Sequence, residues 1–309
     1  MTRRPFLPGG RRRPTFHPLF DVGGGLTPYL YVGPTLLFVL GFVILPLASV
    51  VWYSLVNWSG LGTQVFVGAA NFAELFHDAK FWEAFRTNLI YVIFFSLVPT
   101  AFGLLLASLI GANQVPGDRF FRAVLLMPQV IASVAMGVIF SWIFAPGFGV
   151  LNSFLRAVGL GRFERPWLGS VVLAPISVGL VGTWQWLGFA VVMFGAGIRK
   201  IDEALFDAAK IDGAGAWRRF TAITFPSLRA EVVVVIVVTL IRAFGSGVFG
   251  IVAAITSGGY QTMPLALYAY RLAFVQSRMG YGSAVVIFLM VLIVAVSSLT
   301  YAVGERRNP

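Results

Sequence analysis

The 309 residues are 58% hydrophobic and only 11% charged, with a net charge of +11, whereas soluble domains are roughly one-quarter charged. That composition points to an integral membrane protein and away from a nucleic-acid partner, because the arginines fall between apolar runs instead of gathering on a soluble face. Cysteine is absent, which removes disulfides and thiolate ligands, and the two histidines, His17 and His77, stand far apart without a metal-binding context, so no metal site is expected.

In chain order, the amino terminus reads TRRPFLP, similar to a twin-arginine export signal. The first apolar stretch begins some twenty residues later and is too long for a signal-peptide core. Arg3, Arg4, Arg11, Arg12 and Arg13 therefore read as a cytoplasmic anchor within a basic segment, residues 1–28. A helix needs about 20 apolar residues to cross the hydrocarbon core. Six stretches qualify, 29–55, 85–112, 121–144, 171–198, 232–255 and 283–303, and they predict an all-α bundle of six transmembrane helices over 29–304 with a short tail, 305–309. Pro34, Pro46, Pro99, Pro128 and Pro175 fall inside these stretches, and bundled helices accommodate them because neighbours satisfy the freed backbone groups. On the second helix Gly103, Ala107 and Gly111 form a small-residue face suited to helix packing.

Alternate loops carry 15 and 7 of the Lys and Arg residues, with Arg242 inside a helix. The richer side, with both termini and the 199–228 loop, is expected to be cytoplasmic. The opposite loops, such as FVGAANFAELFHDAKFWEAF and SGGYQTMPLALYAYRLAFVQSRMGYG, are rich in aromatic residues, which suits interfacial anchoring or an outer docking surface.

Residues 206–226, FDAAKIDGAGAWRRFTAITFP, form a polar, basic island in this apolar chain. Asp202 and Glu203 suit a helix start. Leu205, Ala208 and Ala209 share a face at helical spacing. Gly213 supplies a break, and Trp217, Phe220 and Ile223 edge a second short helix that Pro226 ends. Such a helical elbow fits either a lipid surface or a partner protein.

Asp207, Ala208, Ala209, Gly213, Ile223, Phe225 and Pro226 match, in spacing throughout, the E-A-A, three residues, G, nine residues, I-x-L-P motif, with Asp for Glu and Phe for Leu. The elbow resembles the EAA loop of permease subunits in bacterial ABC importers, and IDGA followed by Trp and Phe is most similar to the carbohydrate-uptake branch, of the maltose and glycerol-3-phosphate type. FVGAANFAELFHDAKFWEAFRTN, PGDRFFRAVLLMP and ITSGGYQTMPLALYAYRLAF extend the resemblance from about residue 33 onward. It implies a type I importer permease in the bacterial cell membrane, non-catalytic, paired with a second permease, two cytoplasmic ATPase subunits and an extracellular solute-binding protein. It further implies that Asp207, Ala208, Ala209, Gly213, Trp217, Phe220, Ile223 and Pro226 couple to the ATPase. No G-x-x-x-x-G-K-[ST] occurs, so no nucleotide cofactor is expected on this chain, and ATP and Mg²⁺ would belong to the partner.

For the substrate path, Arg242 on the fifth helix and Trp184, Gln185 and Trp186 on the fourth fall near one depth. A guanidinium, an amide and two indoles suit a hydroxylated ligand such as a sugar, and packing or a subunit contact fits them too. The alternative, an independent secondary transporter of a small polar solute, needs carboxylates inside the spans, where Asp and Glu are nearly absent. An intramembrane enzyme finds no nucleophile elbow, aspartate pair or metal cluster.

Overall fold

A computed structural model describes the backbone of residues 27–113 and 117–305. The basic amino-terminal segment, Arg306, Arg307 and the Arg119 side chain lie outside the described residues, and so does the share of the charge bias that rests on them. The described residues divide into two compact units, with the boundary between Ser49 and Val50. The first contains α1 (Thr27–Val39), a π-helical segment (Leu40–Ile44) and the first half of α2 (Leu45–Ser54), within which the boundary falls. The most apolar stretch of this span has no buried residue, as suits a helix that is apolar on every face and meets lipid.

After the end of α2, the second unit continues with β1 (Val56–Asn57), paired antiparallel with β2 (Val65–Phe66). Helices α3 (Ala70–His77) and α4 (Ala79–Val92) meet at Asp78, whose side chain accepts from the Lys80 N–H and caps α4. A π segment (Ile93–Leu97) carries α4 into α5 (Val98–Asn113). There follow α6 (Asp118–Val130), α7 (Ser133–Ile143), α8 (Val150–Ala157) and the long α9 (Leu173–Ile198). The elbow is α10 (Glu203–Ile211), α11 (Ala216–Arg219), a π segment (Phe220–Thr224) and α12 (Phe225–Ser227). Helices α13 (Arg229–Phe244), α14 (Ser246–Ile255), α15 (Leu265–Tyr270) with its π extension (Arg271–Val275), and α16 (Met279–Glu305) complete the unit.

Three π segments, 40–44, 93–97 and 220–224, each end two residues before a proline, Pro46, Pro99 and Pro226. A proline inside a helix lacks the N–H that would bond four residues back, and its ring presses on that carbonyl. One turn widened to five-residue spacing relieves the clash, so the helix passes through the proline without breaking. Pro226 accordingly does not end the elbow helix as expected; the helical run reaches Ser227, and the break comes at Leu228.

Among the described residues four helices are long and apolar enough to cross a membrane, and up to six spans result if each of two bent pairs, 120–130 with 133–143 and 216–227 with 229–244, is one span. The third expected span, 121–144, is not a single helix. Ile131 and Ala132 adopt extended backbone after Pro128, and the halves 120–130 and 133–143 meet at 98°. The fifth, 232–255, is interrupted at Gly245 (φ −110°, ψ −133°) between α13 and α14. The expected outer loop SGGYQTMPLALYAYRLAF folds largely inward: Leu265, Leu267, Tyr268 and Leu272 are buried, so these side chains pack in the core instead of marking an interface.

Close approach holds α6 and α5 on α9. A Cβ on Gly188 would lie 1.8 Å from the Leu125 carbonyl oxygen, and one on Gly103 2.4 Å from the Ala190 Cβ, so only glycine admits either contact. With fully buried Ala107, Gly103 has the packing role expected of it. Breaks inside a membrane need polar partners, and fully buried Asn88 supplies them. Its Nδ2 donates to the Ala243 carbonyl at 3.0 Å, and its Oδ1 accepts the Leu265 N–H at 2.7 Å.

Candidate functional site

Two sites emerge, one at the elbow and one where the broken helices meet. At the elbow, Asp202 caps α10 by accepting the Ala204 N–H at 3.0 Å. Gly213 takes φ +71°. Its N–H bonds the Lys210 carbonyl and the Ala214 N–H bonds the Ala209 carbonyl, at 3.0 and 2.8 Å. This pair of bonds is the Schellman ending that left-handed glycine supports, and it turns the chain sharply into α11. Asp207 pairs with Lys210 at 2.8 Å, and Ala208 is exposed beside it while Ala209 is half-buried. Trp217, 74% exposed, stacks on Phe220 at 5.5 Å. Phe220 in turn packs against the buried cluster that includes Leu104, Phe194, Leu228 and Val235, while Ile223 and Pro226 are half-buried. A crevice of about 340 Å³ opens beneath the elbow, walled by Leu105, Leu109, Phe206 and Trp217.

The base of the elbow is clipped shut. Lys200 Nζ, just after α9, lies 3.2 Å from Glu231 Oε1 at the start of α13. The ion pair thus ties the two ends of the elbow, after α9 and in the first turn of α13, to each other.

Those two helices carry the second site. A cavity of about 320 Å³ is bounded by Gln129 and Ser133 at the α6–α7 break, Ser246 at the α13–α14 break, and Gln185, Trp186 and Arg242. Arg242 Cζ sits 5.5 Å from the Trp186 ring centroid, a cation–π distance. Gln185 and Trp186 are 4% and 6% exposed, yet the Gln185 Oε1 and Trp186 Nε1 atoms have no hydrogen-bond partner among the described residues. Buried polar atoms are rarely left so, and both border an open cavity. Trp184 is not brought to it: its ring packs edge-on against Phe140 at 5.5 Å. The two helix breaks and Gln129, Ser133 and Ser246 escaped sequence reasoning. The available signals were Pro128 and the Gly245-Ser246-Gly247 run, both common causes of sharp kinks.

The profile of the family described as binding-protein-dependent transport system inner membrane component matches residues 100–308. The chain belongs to this family. Among curated relatives, the probable ABC transporter permease protein YurN of Bacillus subtilis is 35% identical over 276 residues, covering 88% of this chain and 94% of its own. The sn-glycerol-3-phosphate transport system permease protein UgpA of Agrobacterium fabrum is 30% identical, covering 91% and 96%. The lactose transport system permease protein LacF of Rhizobium radiobacter is 29% identical, covering 93% and 96%. In fold, the permease matches a chain of a bacterial ABC transporter that imports the acidic polysaccharide alginate, at TM-score 0.79 and 22% identity, covering 92% and 96%. The protein is therefore a membrane-embedded transport subunit of a binding-protein-dependent ABC importer, and the reading as an independent secondary transporter is set aside.

Proposed function

We propose that this permease forms, with a second permease subunit, the translocation path for a carbohydrate or related polyol. The elbow engages a cytoplasmic ATPase subunit, one of two that bind ATP and Mg²⁺, and this chain carries no catalysis of its own. A solute-binding protein delivers substrate from outside, as the family description implies. The relatives named for lactose and glycerol 3-phosphate support the substrate class. One observation carries the mechanism: the Lys200–Glu231 clip joins the elbow to both helices that line the cavity, α9 with Gln185 and Trp186 and α13 with Arg242. ATP-driven closure of the ATPases then swings the elbow, and the two helices change the exposure of the cavity from one side to the other.

The elbow is tested by Asp207→Lys in the assembled, reconstituted importer. Uptake and substrate-stimulated ATP hydrolysis are expected to fall while the subunits remain associated; survival of both would overturn the coupling role. The cavity is tested by Trp186→Ala and Arg242→Ala, which are expected to raise the apparent substrate concentration for half-maximal transport. Unchanged values in both variants would remove it from the path.

A further inference from the structure

We infer that the cavity selects a ligand bearing an oxyanion, a carboxylate or phosphoryl group on a polyhydroxy skeleton. This rests on the cavity being a substrate contact. None of its lining residues is acidic. The scarcity extends to the helices that frame it, for there is no Asp or Glu anywhere in 119–163, 165–201 or 232–304. Glu231, at the far end of α13, is held by Lys200. Among the described residues the Arg242 guanidinium meets the Trp186 ring and, at 3.5 Å, the Ser246 hydroxyl. About thirteen residues along α13 at 1.5 Å each place it deep in the span.

Arg242 is exposed toward the open cavity, and a full charge at that depth needs either water or an opposite charge to meet it; none of the residues lining the cavity supplies the latter. A guanidinium binds carboxylate and phosphate through paired hydrogen bonds, which a neutral hydroxyl cannot match. The other polar groups agree. Trp186 Nε1 is a buried donor without an acceptor, and Gln185 Oε1 a buried acceptor without a donor. The first suits an anionic oxygen beside Arg242, and the second a ligand hydroxyl. Helices α7 and α14 begin at the cavity without side-chain caps, leaving backbone N–H groups toward it. Because α6 and α13 end at the same place, the helix dipoles largely offset, and Arg242 alone sets the sign of the charge.

The test uses the importer purified through this chain with its subunits and held in lipid nanodiscs. Equilibrium dialysis compares labelled methyl glucuronide with methyl glucoside, and glycerol 3-phosphate with glycerol. At least one anionic probe is expected to bind about tenfold or more tightly than its neutral counterpart, with the advantage largely lost in Arg242→Gln. Which pair shows it distinguishes carboxylate from phosphoryl. Equal binding within both pairs, or no saturable binding of either anion, overturns the inference. If Trp186→Ala then still weakens the neutral probes, the cavity remains a substrate contact. If neither variant alters any probe, that reading falls as well. Dissociation of the subunits by Arg242→Gln would assign the guanidinium's partner to another chain and likewise overturn the inference.

Discussion

Lys200 Nζ lies 3.2 Å from Glu231 Oε1, thirty-one residues on, and closes the base of the elbow. The lysine side chain is 74% exposed, so the pair adds at most about 1 kcal/mol to stability. In the proposed coupling its role is mechanical. Glu231→Gln is expected to leave the unfolding temperature within a few degrees of the parent while lowering solute moved per ATP hydrolysed. Parallel uptake and ATPase measurements check this; an unchanged ratio would show that the clip transmits nothing.

Gly213 holds φ +71° at the end of α10, a conformation costing L-residues roughly 1–2 kcal/mol and least for Asn. Its virtual Cβ meets nothing within 4 Å, so strain alone separates substitutions. Uptake is expected to decline in the order Gly213→Asn, Gly213→Ala, Gly213→Val. A flat series would mean that the turn is replaceable.

Asn88 satisfies the Ala243 carbonyl and the Leu265 N–H at once. Replacing it with Leu strands two buried backbone groups, each worth about 1–3 kcal/mol. The detergent-solubilised complex should unfold several degrees lower, and substrate binding should weaken because Ala243 is the residue after Arg242. Asn88→Ser, which keeps a donor, should lie between the two.

Gly188 and Gly195 offer a contrast on one helix face. A Cβ on Gly188 meets the Leu125 carbonyl at 1.8 Å, whereas on Gly195 it meets the Arg122 guanidinium at 2.0 Å. Backbone cannot yield without moving α6, but a flexible side chain can. Gly188→Ala should therefore reduce folded yield much more than Gly195→Ala, as size-exclusion profiles would report.

Asp78 accepts from Tyr281 at 2.7 Å and from Tyr268. Burial pushes its carboxyl upward, but those hydroxyls and the Lys80 and Phe81 N–H groups outweigh it and hold the carboxyl below its ordinary value. A depressed folded value means the contribution is present above the unfolded value, about 4, and is lost as pH falls through the folded one. Thermal melts of the parent should show an acid-induced loss in that window that Asp78→Asn lacks.

The elbow was legible because its signals are local. Asp202 as a cap, Gly213 as a left-handed ending and the Trp217–Phe220 spacing each act within a few residues, and the structure has the cap, the turn and the stacked pair. The spans were legible from apolar length, but their breaks were not. Pro46 and Pro99 pass through π segments while the helix near Pro128 bends by 98°. The residue itself is the same in each case, and the outcome depends on which neighbours accept the freed backbone groups.

By itself the sequence determined that the chain crosses a membrane, where its polar elbow lies and which family motif it carries, since apolar length and short-range capping need no knowledge of distant contacts. Only the tertiary structure decided that Gln185 and Trp186 meet Arg242 at two facing helix breaks while Trp184 turns to Phe140. Residues two positions apart on a helix point about 200° apart, so depth alone could not say which indole faces the cavity; the packing of α6, α7 and α13 around α9 does.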